Sequence, residues 1–163
     1  WYSEEGEFWA RVQLNRPAFQ RPEIPATGEG EYREEINNLT VHAVNTGVPH
    51  AVVFVDEIGA VDIGAVAPPI RNHPTFPRGA NVNFVERGEG DTLRLRTFER
   101  GVEAETTSCG TGAAAAAAIA HRLGLVGDTV PVETTGGPLV IRIGDTLELE
   151  GPAYTVYSGF IPC

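Results

Sequence analysis

Residues 108–123 read SCGTGAAAAAAIAHRL, a run of small residues that predicts one strong helix. Alanine has the highest helix propensity, so we expect a helix from Gly110 to about Leu123, ended by Gly124. Apolar residues cover nearly the whole circumference of this helix, which is typical of a helix that is buried on all sides. Its small side chains also let neighbouring strands approach closely.

The remaining sequence predicts short strands separated by turns rich in glycine and proline. Residues 15–31 contain three prolines and are predicted to be a loop, and residues 58–70 have room for one short helix. We expect strands at residues 7–14, 39–45, 50–56, 81–86 and 92–98, and further β segments at 129–133, 138–143, 146–149 and 153–157. The predicted fold class is α+β: residues 1–163 form a single domain in which a curved, mostly antiparallel sheet of about eight strands wraps around the central Ala-rich helix.

The composition excludes several classes of function. The formal net charge is −10 and the sequence pI about 4.8, which disfavours a nucleic-acid partner because such partners bind clustered basic surfaces. All twelve basic residues are Arg, so chemistry that needs a Schiff-base or P-loop lysine is excluded. Two cysteines without Cys-x-x-Cys or His-x-x-x-His spacing predict neither a disulfide scaffold nor a metal site. No apolar run could cross a bilayer and none resembles a signal peptide, so no membrane partner and a cytoplasmic location are expected.

Cys109 falls at the start of the Ala-rich helix. The first-turn N–H groups of a helix lack intrahelical partners, and the helix dipole favours negative charge there. Both effects stabilise a thiolate, and the same N–H groups can bind a carboxylate, for which Gly110 and Gly112 leave room. A thiol beside a carboxylate site suits proton transfer at the α-carbon of an amino acid. The alternative is an inert, buried cysteine at a helix cap.

Three further segments are candidates for the same site, each with a structural alternative. Glu99-Arg100 ends a strand before the helix; its carboxylate could hydrogen-bond a thiol or substrate and its guanidinium could bind a second carboxylate, or the two could form a surface ion pair. His50 opens an apolar strand, where it could hydrogen-bond a thiol or be a satisfied core histidine. Asn81 and Asn83 point to one face of a strand, either inwards to partners such as a polar ligand or outwards to solvent.

Together these segments resemble the C-terminal half of the diaminopimelate epimerases. The matching segments keep the family's order over most of the chain and are Gly47-Val48-Pro49-His50-Ala51-Val52, His73-Pro74-Thr75-Phe76-Pro77, Asn81-Val82-Asn83-Phe84-Val85, Phe98-Glu99-Arg100-Gly101-Val102, Glu105-Thr106, Cys109-Gly110-Thr111-Gly112 and Gly151-Pro152-Ala153. The resemblance implies two similar domains, each a barrel-like sheet around a central helix and each with one cysteine. It also implies interconversion of LL- and meso-diaminopimelate without pyridoxal phosphate or metal, one thiolate removing the α-proton and a thiol on the opposite face delivering another.

The resemblance also implies a role for each candidate residue. Cys109 becomes the acid/base thiol of the second domain, and His50 and Glu99 become the groups that tune the thiols. Substrate ligands come from two places, the helix start for the α-carboxylate and two strand ends for the distal end of diaminopimelate. These ligands are Gly110 and Thr111 at the helix start, Asn81 and Arg100 at the distal end, and Glu99.

A chain of this kind holds one half of an active site. No second Cys-Gly motif of this type occurs, and Cys163 has neither a helix start nor a glycine-rich segment. We therefore expect the other thiol on an N-terminal domain outside these residues, no cofactor, and an inactive isolated chain, with a homodimer left open. Val48 departs from the family because many members have Asn there, and the spacing from Glu99 to Cys109 is one residue longer than in some members.

Three other functions stay open at this point. Proline racemases and hydroxyproline epimerases have a similar Cys-Gly-Thr-Gly helix start, although proline lacks the distal charged end that Glu99-Arg100 and Asn81 favour. A domain that binds carboxylates without catalysis is the second alternative. A cysteine hydrolase built on Cys109 and His50 is the third, although nothing in the sequence indicates an acyl-binding cleft.

Overall fold

The computed structural model describes residues 2–4, 7–156 and 158–160. Within these residues the chain forms eleven strands, two α-helices and one turn of 3₁₀-helix at Ile58–Ala60. The strands are β1 (Tyr2–Glu4), β2 (Glu7–Gln13), β3 (Arg33–Ile36), β4 (Leu39–Asn45), β5 (Pro49–Phe54), β6 (Asn81–Arg87), β7 (Leu93–Glu99), β8 (Ala104–Thr106), β9 (Thr129–Thr134), β10 (Gly137–Ile143) and β11 (Leu147–Pro152); the helices are α1 (Ile63–Arg71) and α2 (Gly110–Arg122).

All the strands belong to one sheet, in the order β1-β2-β11-β10-β9-β7-β6-β5-β4-β3, with β8 paired to β7. The pairings between described strands are antiparallel except for two, β5 with β6 and β7 with β9, which are parallel. The predicted α+β class and the mostly antiparallel sheet are therefore confirmed. The sheet has more strands than predicted because β1, β3 and β8 are too short to show hydrophobic alternation.

The Ala-rich helix α2 lies inside the curve of this sheet, as predicted. Every residue from Gly112 to Ala120 is buried, and the helix contacts each strand along the path from β11 to β4. Gly124 follows the helix with a φ of +71°, a left-handed conformation in which glycine carries no steric cost. No helix in the part of the chain that the structure describes is long and apolar enough to cross a membrane.

The outer face of the sheet carries a second core. There α1 lies against β6 and β7 and buries Ile63, Ala67 and Ile70 in a cluster that also includes apolar residues of β4 and β5. The helix begins at Asp62, whose side chain accepts a hydrogen bond from the backbone N–H of Ala65 at 3.2 Å. The two cores lie on opposite faces of the central strands, so these strands are buried on both sides.

The prediction of a strand at residues 153–157 is wrong. The last strand ends at Pro152, and the backbone N–H of Ala153 makes one further hydrogen bond, to the carbonyl of Phe8 at 2.8 Å. Because β2 begins at Glu7, no neighbouring strand among the described residues continues beyond this point. Residues 154–156 are accordingly unpaired and exposed, and residue 157 lies outside the described residues.

We predict that the helix tolerates little extra volume at Ala116, which is fully buried. The variant Ala116→Leu should lower the free energy of unfolding by roughly 1–3 kcal/mol, because extra methyl groups in a well-packed core force neighbours to move. Urea unfolding followed by circular dichroism measures this. Leu123→Ala, at a position that is 45% exposed, is the matched control and should change little. If Ala116→Leu leaves the free energy of unfolding unchanged, free space must surround the helix.

Candidate functional site

Cys109 is the residue at which α2 begins. Its backbone is extended, with φ −135° and ψ 101°, and its carbonyl accepts the first helical hydrogen bond, from Ala113 N at 2.9 Å. The residue is 9% exposed and its thiol is free. The amides of Gly110 and Thr111 lie in the first turn, where a helix offers no carbonyl to accept from them. Cys109 therefore lies at a helix start whose N–H groups can bind an anion, and its own side chain makes no capping hydrogen bond there.

The hydroxyl of Thr111 lies between the thiol and His50. Thr111 Oγ1 is 3.6 Å from Cys109 Sγ and 3.1 Å from His50 Nε2. The sequence suggested that His50 could contact a thiol directly, whereas the structure connects the two groups through this hydroxyl. Thr111 is itself held in place, because the hydroxyl of Thr46 donates to its backbone carbonyl at 2.9 Å.

His50 is buried completely at the start of β5. Burial lowers the pKa of its imidazole to about 3, and the positive charge of Arg100 acts in the same direction. The ring is therefore neutral at physiological pH. A neutral imidazole can donate one hydrogen bond and accept another, but it cannot serve as a permanent cation beside a thiolate.

Gly112 is required by the close packing at this site. A Cβ atom added there would lie 2.5 Å from Asn83 Oδ1 and 3.2 Å from Cys109 Sγ. Gly110 is less constrained, since its added Cβ would meet only the end of the Leu149 side chain, at 2.9 Å. The second glycine of the Cys-Gly-Thr-Gly segment thus lets the helix start approach β6.

Arg100, Asn81 and Glu99 lie together where β6 begins and β7 ends. The backbone N–H of Arg100 donates to Asn81 Oδ1 at 2.8 Å, and its guanidinium donates to the carbonyls of Arg78 and Gly79 at 3.2 and 3.1 Å. Asn81 is the register neighbour of His50 in the parallel pair β5–β6. No hydrogen bond or ion pair between described residues engages the Glu99 carboxylate, so the surface ion pair with Arg100 that the sequence left open does not form.

Several polar residues of this region were not assigned a role in the site from the sequence. Asn83 was predicted to lie on one strand face with Asn81, and the structure turns both inwards. Thr46 and Thr97 gave no sequence signal because a lone threonine in a strand or turn is ordinary. Thr106 carries a buried hydroxyl without a hydrogen-bond partner among the described residues. In the same part of the chain, no group of three or more His, Cys, Asp or Glu residues could hold a metal ion.

The fold of this chain resembles that of a hydroxyproline epimerase from Agrobacterium vitis. The solved structure of that enzyme, with bound trans-4-hydroxy-L-proline, superimposes with a TM-score of 0.60 at 17% identity over 94% of this chain and 52% of the other. At this identity the similarity establishes the fold alone.

Sequence comparison then establishes the family. The profile of the diaminopimelate epimerases matches residues 42–156. A diaminopimelate epimerase from Methanothrix thermoacetophila is 56% identical over 94% of this chain and 55% of its own length. One from Methanocella arvoryzae is 51% identical over 97% of this chain and 57% of its own. The chain belongs to the diaminopimelate epimerase family, and it spans a little over half the length of these relatives.

We predict that Gly112→Ala disturbs the helix start more than Gly110→Ala. Both substitutions replace glycine by alanine and gain the same helix propensity. The difference in stability between the two variants therefore reflects the contacts of the added methyl groups. Because the added methyl group meets Asn83 and the thiol, Gly112→Ala should lower the free energy of unfolding by roughly 1–3 kcal/mol relative to Gly110→Ala. Thermal unfolding of both variants measures this. Equal stability would contradict the close approach of β6 to the helix.

The burial of His50 predicts a dependence of stability on pH. Its pKa is about 6.5 in the unfolded chain and about 3 in the fold, so the unfolded state binds the proton first as the pH falls. The stability that depends on the neutral ring is complete above pH 6.5 and is lost as the pH falls towards 3. Relative to His50→Gln, the free energy of unfolding should fall by up to about 1.4 kcal/mol per pH unit below this point. The free energy of unfolding is measured by urea titration at several pH values. If it changes with pH equally in the wild type and in His50→Gln, the prediction is contradicted.

Proposed function

We propose that this chain supplies one half of the active site of a diaminopimelate epimerase, with Cys109 as one of the two thiols that move the α-proton. The observation that carries the proposal is the position of Cys109 at the first turn of α2, with the hydroxyl of Thr111 3.6 Å from its sulfur. Family membership supports diaminopimelate, a precursor of lysine, as the substrate. A biosynthetic role of this kind favours a cytoplasmic location.

Inversion at a carbon needs a base on one face and an acid on the other. Cys109 as thiolate takes the α-hydrogen as a proton, and the bonding pair stays on the α-carbon, next to the carboxylate. A second thiol then gives its proton to that pair from the opposite face. The N–H groups of Gly110 and Thr111 hold the α-carboxylate during this exchange and stabilise the charge that builds up on it.

The remaining candidates are proposed to bind the distal end of the substrate. Diaminopimelate carries a second ammonium and a second carboxylate at that end. The Arg100 guanidinium is anchored by two backbone carbonyls, and it can present its other N–H groups to the carboxylate. The half-buried Glu99 carboxylate can accept from a substrate ammonium or a thiol. Asn81 uses its oxygen within the fold, so its amide N–H is the group offered to a ligand.

The second thiol is proposed to lie on an N-terminal domain of similar architecture, with residues 1–163 as the C-terminal half of a two-domain enzyme. The relatives support this, because the chain spans 55% of the length of one and 57% of the other. Cys163 is outside the described residues, and its sequence context offers no helix start. The chain alone is therefore proposed to be inactive.

The proposal is tested by joining this chain to an N-terminal domain of the same family and following epimerisation of LL-diaminopimelate. Cys109→Ala should lower the turnover number at least a hundredfold, because it removes the acid/base group. Ser108→Ala, which removes the neighbouring exposed hydroxyl, is the matched control and should retain activity. A Cys109→Ala variant that turns over at the control rate would exclude Cys109 as the acid/base thiol.

A second arm uses the 163-residue chain alone with LL-diaminopimelate in D₂O. No meso-diaminopimelate should form, because inversion needs a proton donor on the opposite face and the isolated chain places none there. Inversion at the α-carbon by the isolated chain would contradict the half-site proposal.

One alternative is supported by the fold, which a hydroxyproline epimerase has in common with this chain. Turnover of L-proline or hydroxyproline in preference to LL-diaminopimelate by the joined protein would favour it. A domain that only binds carboxylates is the other alternative. Binding of diaminopimelate by the joined protein, without turnover or deuteration, would identify that case.

A further inference from the structure

Asn83 contacts His50 from the neighbouring strand, and its oxygen lies close to Gly112 at the helix start. It is fully buried on β6. Its amide nitrogen is 3.0 Å from His50 Nδ1 and also donates to the carbonyl of Ala51 at 3.0 Å, while its oxygen accepts from the hydroxyl of Thr97 at 3.0 Å. All three polar contacts of this side chain are thus made inside the protein, and none reaches the substrate side.

These contacts fix which way the amide of Asn83 points. A backbone carbonyl can only accept, so the amide atom that faces Ala51 must be the nitrogen. The same nitrogen faces His50 Nδ1, and an amide NH₂ group can only donate. Nδ1 must therefore carry a lone pair, which leaves the single proton of the neutral imidazole on Nε2.

The direction of the next two hydrogen bonds follows from this tautomer. His50 Nε2–H donates to Thr111 Oγ1 across 3.1 Å. The oxygen of Thr111 then serves as an acceptor from the ring, and its own hydrogen is free to point at Cys109 Sγ, 3.6 Å away. Each donor in the series faces the sulfur, which is the arrangement that favours the thiolate.

We propose that Asn83 is a positioning residue that holds His50 in the Nε2–H tautomer, so that the Thr111 hydroxyl donates to Cys109. Asn83 acts through two other side chains, since its hydrogen bonds go to His50, Ala51 and Thr97 and not to the sulfur. The inference rests on the proposed function of Cys109 as an acid/base thiol. It adds to that function the group that decides the direction of the hydrogen bonds around the thiol.

The tautomer can be measured directly in the ¹⁵N-labelled chain. Long-range ¹H–¹⁵N spectra distinguish a protonated from an unprotonated ring nitrogen, and His50→Gln identifies the signals by their loss. In the wild-type chain at neutral pH, Nε2 of His50 should be protonated and Nδ1 unprotonated. The opposite tautomer, or a ring protonated on both nitrogens, would overturn the proposal without any variant. In Asn83→Leu, a population with the proton on Nδ1 should appear.

The effect on the thiol is measured by the rate of alkylation with iodoacetamide at a fixed, near-neutral pH. Mass spectrometry of the peptide that contains Cys109 keeps Cys163 out of the measurement. Asn83→Leu should slow alkylation about tenfold, the effect expected when a charged group loses one hydrogen bond. Thr111→Val should slow it to a similar extent, and Thr111→Ser, which restores the hydroxyl, should recover most of the loss.

The double variant separates a positioning role from a general loss of packing. If Asn83 acts through Thr111, then Asn83→Leu should have little further effect in the Thr111→Val background. Fully additive losses would overturn the proposal. Neither the ¹⁵N spectra nor the alkylation rates depend on a substrate. If both give the expected results and the epimerase assay fails, the proposed function is rejected and the role of Asn83 is retained. Should Asn83→Leu not fold, the wild-type spectrum and the two Thr111 variants still decide the outcome.

Discussion

The close contact between α2 and the strands around it is the constraint on which the rest of the structure depends. A helix buried from Gly112 to Ala120 can lie inside a curved sheet only if its side chains are small. Alanine satisfies this and still favours the helical conformation. The same contact fixes the thiol, because Cys109 is the first residue before the helix and cannot move without moving the helix in the core.

Polar groups around the helix start are buried in the interior, where they form hydrogen bonds with one another and with the strands. Thr46, His50, Asn83 and Thr97 are buried, and each has a hydrogen-bond partner. An unpaired buried polar group costs free energy, so a connected set is stable only when every member is satisfied. The site is therefore built into the core of the domain, whereas most ligand-binding residues of proteins lie on loops.

The helix, the main strands and the antiparallel character of the sheet could be predicted because each depends on a local pattern, such as the alanine run or the alternation at residues 39–45. Short strands such as β8 could not, since only pairing with β7 makes Ala104–Thr106 a strand. For the site, Cys109 was predictable from its position before a helix. The connection through Thr111 and the inward direction of Asn83 depend on which strand lies beside the helix, and no sequence pattern encodes that.

The fixed direction of the hydrogen bonds behind Cys109 has a consequence for the fate of a proton. A proton can cross a chain of hydrogen bonds only if every bond in the chain can reverse. Here the amide group of Asn83 cannot reverse while it faces the carbonyl of Ala51. In the proposed arrangement no proton can pass from the sulfur through Thr111 and His50 to Asn83, so a proton on Cys109 leaves on the side where the residue is exposed. In the proposed reaction, that side is where the substrate binds.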